Sequence, residues 1–154
     1  MPMPIESLQS HLKLLYTSYE RVTGRTLLDT HQHCTSDELF QALDDAPFVL
    51  VSHGTEEPPI FNYGNKTALR LFGMSWDEFT SLPSRRSAEQ PNREARERLL
   101  QAVKSHGFID NYSGVRIAKN GRRFVIENVT VWNVLDEQGK YHGQAATYGE
   151  WKFL

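Results

Sequence analysis

Two histidines and the only cysteine crowd together in His31-Gln32-His33-Cys34. Imidazole and thiolate suit zinc or a softer transition metal. A structural zinc site takes four ligands, however, and no second Cys/His pair stands at a familiar spacing, so the group reads as a polar linker. His53 follows an apolar run and precedes Gly54, Glu56 and Glu57. A catalytic role there would need a nucleophile close in space, and a turn histidine is the simpler reading. Arg85 and Arg86 are adjacent, and a guanidinium can grip a carboxylate or phosphate with two parallel bonds. The competing reading pairs them with Asp and Glu of the same chain. No nucleophile elbow, phosphate loop or zinc-protease helix is present.

The elements that must position these groups announce themselves by periodicity and caps. Ile5, Leu8, Leu12, Leu15, Tyr19 and Val22 recur at spacings of three and four, which predicts a helix from about Pro4 to Gly24 with a narrow apolar stripe. The stripe can pack on its own domain's sheet or form a seam between two copies, and both uses are expected together. Arg25 to Cys34 is polar and reads as a loop. Thr35 with Glu38 and Ser75 with Glu78 are capping boxes, and Asn65 fits an N-cap before Ala68, Leu69 and Phe72. Phe48–Val51 and Ile60–Tyr63 are short apolar strands around His53. Leu82 to Asn92 holds Pro83 and Pro91 and reads as an irregular loop. Ala95, Leu99, Ala102 and Val103 line a longer helix that stops at Gly107, with its charge run facing solvent.

The last third is β: strands over Phe108–Ala118, Arg122–Leu135 and Lys140–Trp151. Asn120-Gly121 is a strong hairpin signal and predicts a two-residue turn with positive φ at both residues. Phe124, Ile126, Asn128, Thr130, Trp132 and Val134 are expected on one face of the middle strand, with Val125, Glu127, Val129, Val131 and Asn133 on the other. Neither face is cleanly polar, so both sides need cover. Helices would supply one side, and the N-terminal helix or a second chain the other.

A chain of 154 residues with 39% apolar and 23% charged residues is ordinary globular usage and long enough for one core. The net charge of −2 creates no global field toward nucleic acid or lipid headgroups. One cysteine excludes an intrachain disulfide and favours a reducing compartment. The N-terminus lacks the basic start and apolar run of a signal peptide, and no stretch approaches a membrane span. The expected setting is the cytoplasm.

Two strands, small helices, a longer helix and a three-stranded meander, from about Phe40 to Trp151, resemble the PAS fold. More specifically, the chain is similar to the MEKHLA family, a PAS-like group. The match is carried by APFVLVSHG at 46–54, FNYGN at 61–65, LPSR at 82–85, GVRI at 114–117, GRRF at 121–124 and VWN at 131–133. The resemblance implies an α+β, PAS-like fold: a five-stranded antiparallel sheet with short helices on one face and an N-terminal helix. It divides the chain into a helix and linker at 1–34 and the domain at 35–154. In plants such a domain is attached to homeodomain–leucine-zipper transcription factors, where it is regarded as regulatory. This chain has no room for a homeodomain, so direct nucleic-acid binding does not carry over, and a stand-alone bacterial or algal-type sensor or adaptor is suggested.

Under the PAS reading, Tyr63, Asn65, Arg85, Ser87, Tyr112, Arg116 and Trp132 flank the sheet face that usually forms a ligand cleft, with Arg85 as the candidate anchor for an acidic ligand. The competing reading makes Asn65 a cap and Trp132 a packing residue. Flavin photochemistry needs a reactive cysteine in the loop before the long helix, where this chain has Ser84-Arg85-Arg86-Ser87. Haem would need His106, which the helix dipole explains as well. The expected role is therefore a non-enzymatic sensory or interaction module, homodimeric through the N-terminal helix, with its cofactor unknown. The second hypothesis is a binder of a small molecule or redox cofactor. The third is an enzyme using the cleft.

Overall fold

The structure is a computed structural model that describes residues 4–28, 35–88 and 93–154. The His31, His33 and Cys34 group and Pro91 lie outside the described residues. Helix α1 (Ile5–Thr23) ends at Gly24, and α2 (Ser36–Asp44) starts from Thr35. The chain continues through β1 (Val49–His53), β2 (Phe61–Gly64), α3 (Lys66–Phe72) and α4 (Trp76–Phe79). Both capping boxes form: the Thr35 and Ser75 hydroxyls accept from the Glu38 and Glu78 amides, and each Glu carboxylate returns to the cap residue's own N–H. The expected loop after Leu82 contains a 3-10 turn, Ser84–Ser87. Helix α5 (Arg93–His106) then leads into β3 (Phe108–Ile117), β4 (Arg123–Leu135), β5 (Tyr141–Tyr148) and β6 (Glu150–Phe153).

All strand pairings are antiparallel, in the order β2-β1-β5-β4-β3, with β6 on β4 beyond β5. The single third strand expected from Lys140 onward is interrupted at Gly149. Its register on β4 is nevertheless the same on both sides, Thr147 opposite Thr130 and Glu150 opposite Glu127. Sheet and helices make two cores. One face carries Val49, Val51, Phe61, Phe124, Ile126, Val129 and Val131 against α3, α4 and α5. The other carries Leu50, Tyr63, Trp132 and Val134 against Leu12, Leu15 and Tyr19 of α1 and Leu43 of α2. Helix α1 thus covers the face that the sequence left open.

The expected face assignment of β4 does not hold along its length. Phe124 and Ile126 share a face with Val129 and Val131, while Trp132 and Val134 lie on the opposite one. The cause is a pair of compensating bulges. On β3, Ile109 and Tyr112 oppose Val131 and Val129; on β4, Ile126 and Val129 oppose Gly114 and Tyr112. Each strand inserts one extra residue, and the backbone at both sites is left-handed at an asparagine, with φ 55° at Asn111 and 54° at Asn128. An inserted residue reverses every later side chain.

The hairpin between β3 and β4 also differs from expectation. Gly121 has φ 85°, but Asn120 is not left-handed. The Gly121 amide donates to the Ala118 carbonyl and the Ala118 amide to the Arg122 carbonyl, both at 2.9 Å. The loop is therefore three residues, Lys119 to Gly121, with only the last left-handed. The Asn120 side chain stabilises it by accepting from the Arg122 amide.

Candidate functional site

A cleft opens between the central strands, the 3-10 turn and α5. Its walls are mostly apolar: Val51, Phe61, Phe72, Leu99, Ile126 and Val129 are among them. Its water-sized space is small, about 60 Å³. The polar residues around it are Ser52, His53, Ser87, Tyr112, Arg116, Gln144 and Tyr148. Gln144 has a structural task, since its amide donates to the Leu100 carbonyl and to Asn133 Oδ1. Asn133 in turn donates to the Val103 and Lys104 carbonyls, so the two amides tie the end of α5 to the sheet. The Ser87 hydroxyl donates to the Ser84 carbonyl and is committed to the 3-10 turn.

Arg116 is different. It is 9% exposed. Its guanidinium donates to the Val115 carbonyl at 2.9 Å and to the Tyr112 hydroxyl at 3.3 Å, and it lies 5.7 Å from the Tyr112 ring centre. Ion pairs among the described residues include Arg25–Asp110, Lys66–Asp45, Lys119–Glu78 and His142–Asp136, and none involves Arg116. Burial pushes the Tyr148 phenol above its ordinary range, and the Arg116 charge pulls it back. The charge is thus felt inside the cleft.

Of the seven residues singled out in the sequence, Ser87, Tyr112 and Arg116 come together here. Trp132, Tyr63 and Asn65 do not. The Asn128 bulge turns Trp132 toward α1, where its indole N–H donates to the Ser18 hydroxyl at 3.1 Å and the Tyr19 ring stands edge-on at 4.8 Å. A register shift in the β1–β2 pairing puts Phe61 on the cleft side and Tyr63 on the other, where its hydroxyl donates to Asp44 at 2.7 Å. Burial and the Asp44 charge push that phenol upward. Asn65 is fully buried and caps α3. Arg85 is exposed and borders a separate surface groove with Arg86, Glu94, Glu97 and Arg98. His53, read as a turn histidine, ends β1 and lines the cleft. Its position follows from the β1 alternation that sends Val51 the same way.

The cleft lies on one face of a PAS-type sheet, and the family can now be read from the whole chain. The family model described as the MEKHLA domain matches residues 9–153. This chain belongs to the MEKHLA domain family. The MEKHLA chain is 25% identical over 140 residues to the homeobox-leucine zipper protein ATHB-14 of Arabidopsis thaliana, covering 89% of this chain and 16% of that protein. It is 24% identical to ATHB-9 of the same plant, covering 89% of this chain and 17% of that one. It therefore spans about a sixth of the length of these curated relatives. Among solved structures, a PAS domain from Colwellia psychrerythraea superposes with TM-score 0.61 at 17% identity, over 74% of this chain and 92% of that one. The light-state dimer of the fungal blue-light photoreceptor Vivid superposes with TM-score 0.58 at 16% identity, over 87% and 92%. A light-oxygen-voltage domain studied with a flavin analogue superposes with TM-score 0.59 at 15% identity, over 75% and 84%. These likenesses establish the PAS-like fold of the MEKHLA domain. Among the described residues, no helix is long and apolar enough to cross a membrane, and no cluster of three or more His, Cys, Asp or Glu could hold a metal.

Proposed function

We propose that this MEKHLA domain is a non-enzymatic sensory or interaction module of the cytoplasm. A small molecule in the cleft is its signal, and α1 is its output and its homodimer contact. One observation carries this reading: cleft and α1 lie on opposite faces of the same strands. Val131 lines the cleft while its neighbour Trp132 holds Ser18 and Tyr19 of α1. A ligand that shifts β4 or β5 therefore changes the seat of α1. Differential contact of this kind is what a ligand needs to bias a two-state element.

Flavin, named for one structural neighbour, does not fit this cleft. Pockets for molecules of that class span roughly 300–1,000 Å³, against about 60 Å³ here. The Vivid structure is a dimer by its description, which supports the self-association part of the proposal. DNA contact is assigned to no surface of this chain. Native mass spectrometry of protein purified from cells tests the reading. A dimer carrying a small bound molecule is expected. A bare monomer whose α1 amide signals ignore every molecule that enters the cleft would overturn it.

A further inference from the structure

Buried arginine charge without an anionic partner is costly, because desolvation is not offset by a nearby opposite charge. Among the described residues no carboxylate pairs with Arg116, and the fold makes special room for it. Tyr112, Gly114 and Arg116 alternate along β3, so their side chains share one face. A Cβ at Gly114 would stand 2.7 Å from the Tyr112 hydroxyl and 3.1 Å from an Arg116 terminal nitrogen. Only a glycine lets the tyrosine and the guanidinium meet across the strand. Two guanidinium donors are used on the Val115 carbonyl and the Tyr112 hydroxyl, both neutral. The guanidinium has five N–H donors in all. The Tyr148 phenol lies within reach of the same charge. The rest of the wall is mostly aliphatic and aromatic, from Val51, Phe72, Leu99, Ile126, Val129 and Val131, with Ser52, His53, Ser87 and Gln144 as its other polar residues.

Resting on the reading of the cleft as a signal site, we infer that its ligand is a short aliphatic monocarboxylate held by Arg116. One guanidinium neutralises one carboxylate, and its spare donors can bond the carboxylate oxygens. The Tyr112 and Tyr148 hydroxyls are the other donors available for an oxygen the fork leaves over. The apolar wall takes the hydrocarbon tail, and about 60 Å³ restricts that tail to a few carbons. A phosphate dianion is the poorer occupant. It carries a second charge with no second arginine or lysine among the described lining residues, and it would leave oxygens against hydrocarbon.

Titration of the full chain with butyrate, 1-butanol and inorganic phosphate tests this, with binding read from the methyl signals of Ile126 and Val129 and from the melting temperature. Butyrate should move both methyl groups and raise the melting temperature with the logarithm of its concentration, and phosphate should do neither. Arg116→Met, nearly equal in length but uncharged, should weaken butyrate about tenfold or more while 1-butanol binds as before. Gly114→Ala, which keeps the arginine but crowds it against Tyr112, should also weaken butyrate and serves if Arg116→Met fails to fold. Equal binding of butyrate and butanol, unchanged in both variants, would overturn the carboxylate assignment and leave the cleft reading standing. Phosphate binding that Arg116→Met abolishes would overturn it as well. Methyl signals that ignore butyrate and butanol alike would overturn both.

Discussion

Asn65 shows how much one side chain can hold. Its Oδ1 accepts from the Ala68 amide, the local cap, and from the Leu50 amide of β1. Its Nδ2 donates to the Leu43 carbonyl of α2 and the Phe48 carbonyl before β1. Four bonds from a fully buried amide join α2, β1 and α3. The cap was legible in the sequence because its partner is three residues away. The other three bonds were not, because 15 to 22 residues separate their ends. Asn65→Ala orphans the Leu50 and Ala68 amides and takes a donor from the Phe48 and Leu43 carbonyls, the latter keeping only its 3.4 Å bond from the Ala46 amide. With roughly 1–3 kcal/mol per buried group left unsatisfied, the chain should lose about 3 kcal/mol or more, read as a fall in the urea midpoint. A loss near the roughly 1 kcal/mol of a simple cap would show that the tertiary bonds contribute little. The site itself was legible only in part. Tyr112 and Arg116 were singled out because the PAS resemblance puts them beside the cleft face, and their even spacing on β3 does bring them to one face. Gly114, the residue that lets them meet, was not, since the signal of an empty Cβ position is geometric.

Among elements, helices were easier to read than strand faces. Helix periodicity and caps depend on residues within one turn. A bulge depends on what two strands must do together, and two bulges decided which side chains entered the cleft. Asparagine tolerates the left-handed region better than most residues, so Asn111 and Asn128 were a weak local hint. The seat of α1 on the sheet makes a testable element. His11 is half-buried beneath it, with Nε2 2.9 Å from the Ser52 hydroxyl. Ser52 gives its own proton to Asn62 Oδ1, so His11 Nε2 carries a hydrogen and donates. Burial, and secondarily the charge of His142, lower the His11 pKa from 6.5 to about 4. His142 itself pairs with Asp136. The folded state thus prefers neutral His11, and the unfolded state takes up its proton first as pH falls. Stability from this group is complete above about 6.5, declines through the window down to about 4, and changes no further below it. The loss should be of order 1 kcal/mol for a half-buried site. His11→Gln should flatten that part of the stability–pH curve, measured by urea unfolding at fixed ionic strength. An unchanged slope between pH 6 and pH 4.5 (roughly the middle of the window) would reject the buried-neutral assignment.

At the scale of the whole molecule, α1 both closes the second core and reaches past it. Leu12 and Leu15 are wholly buried and Tyr19 nearly so, whereas Ile5, on the same stripe, is 51% exposed. The stripe therefore begins before the sheet does. Burying an aliphatic side chain is worth roughly 1.5–3 kcal/mol, so the inner residues hold the fold and the overhang is free to hold a second copy. The two roles separate by position. Leu15→Glu puts a carboxylate among Leu50, Trp132 and Val134 with no partner for it, and should cost about 4 kcal/mol or more, enough to unfold much of the population. Ile5→Glu with Leu8→Glu touches the overhang and its half-buried neighbour. Because Leu8 packs in part against the second core, that double variant should lower the urea midpoint, but far less than Leu15→Glu, while sedimentation moves from dimer to monomer at micromolar concentration. Should the wild type sediment as a monomer even at high micromolar concentration, the overhang has no partner copy and α1 serves the fold alone. Should the double variant unfold as readily as Leu15→Glu, the overhang belongs to the core and the dimer contact must be sought on another surface.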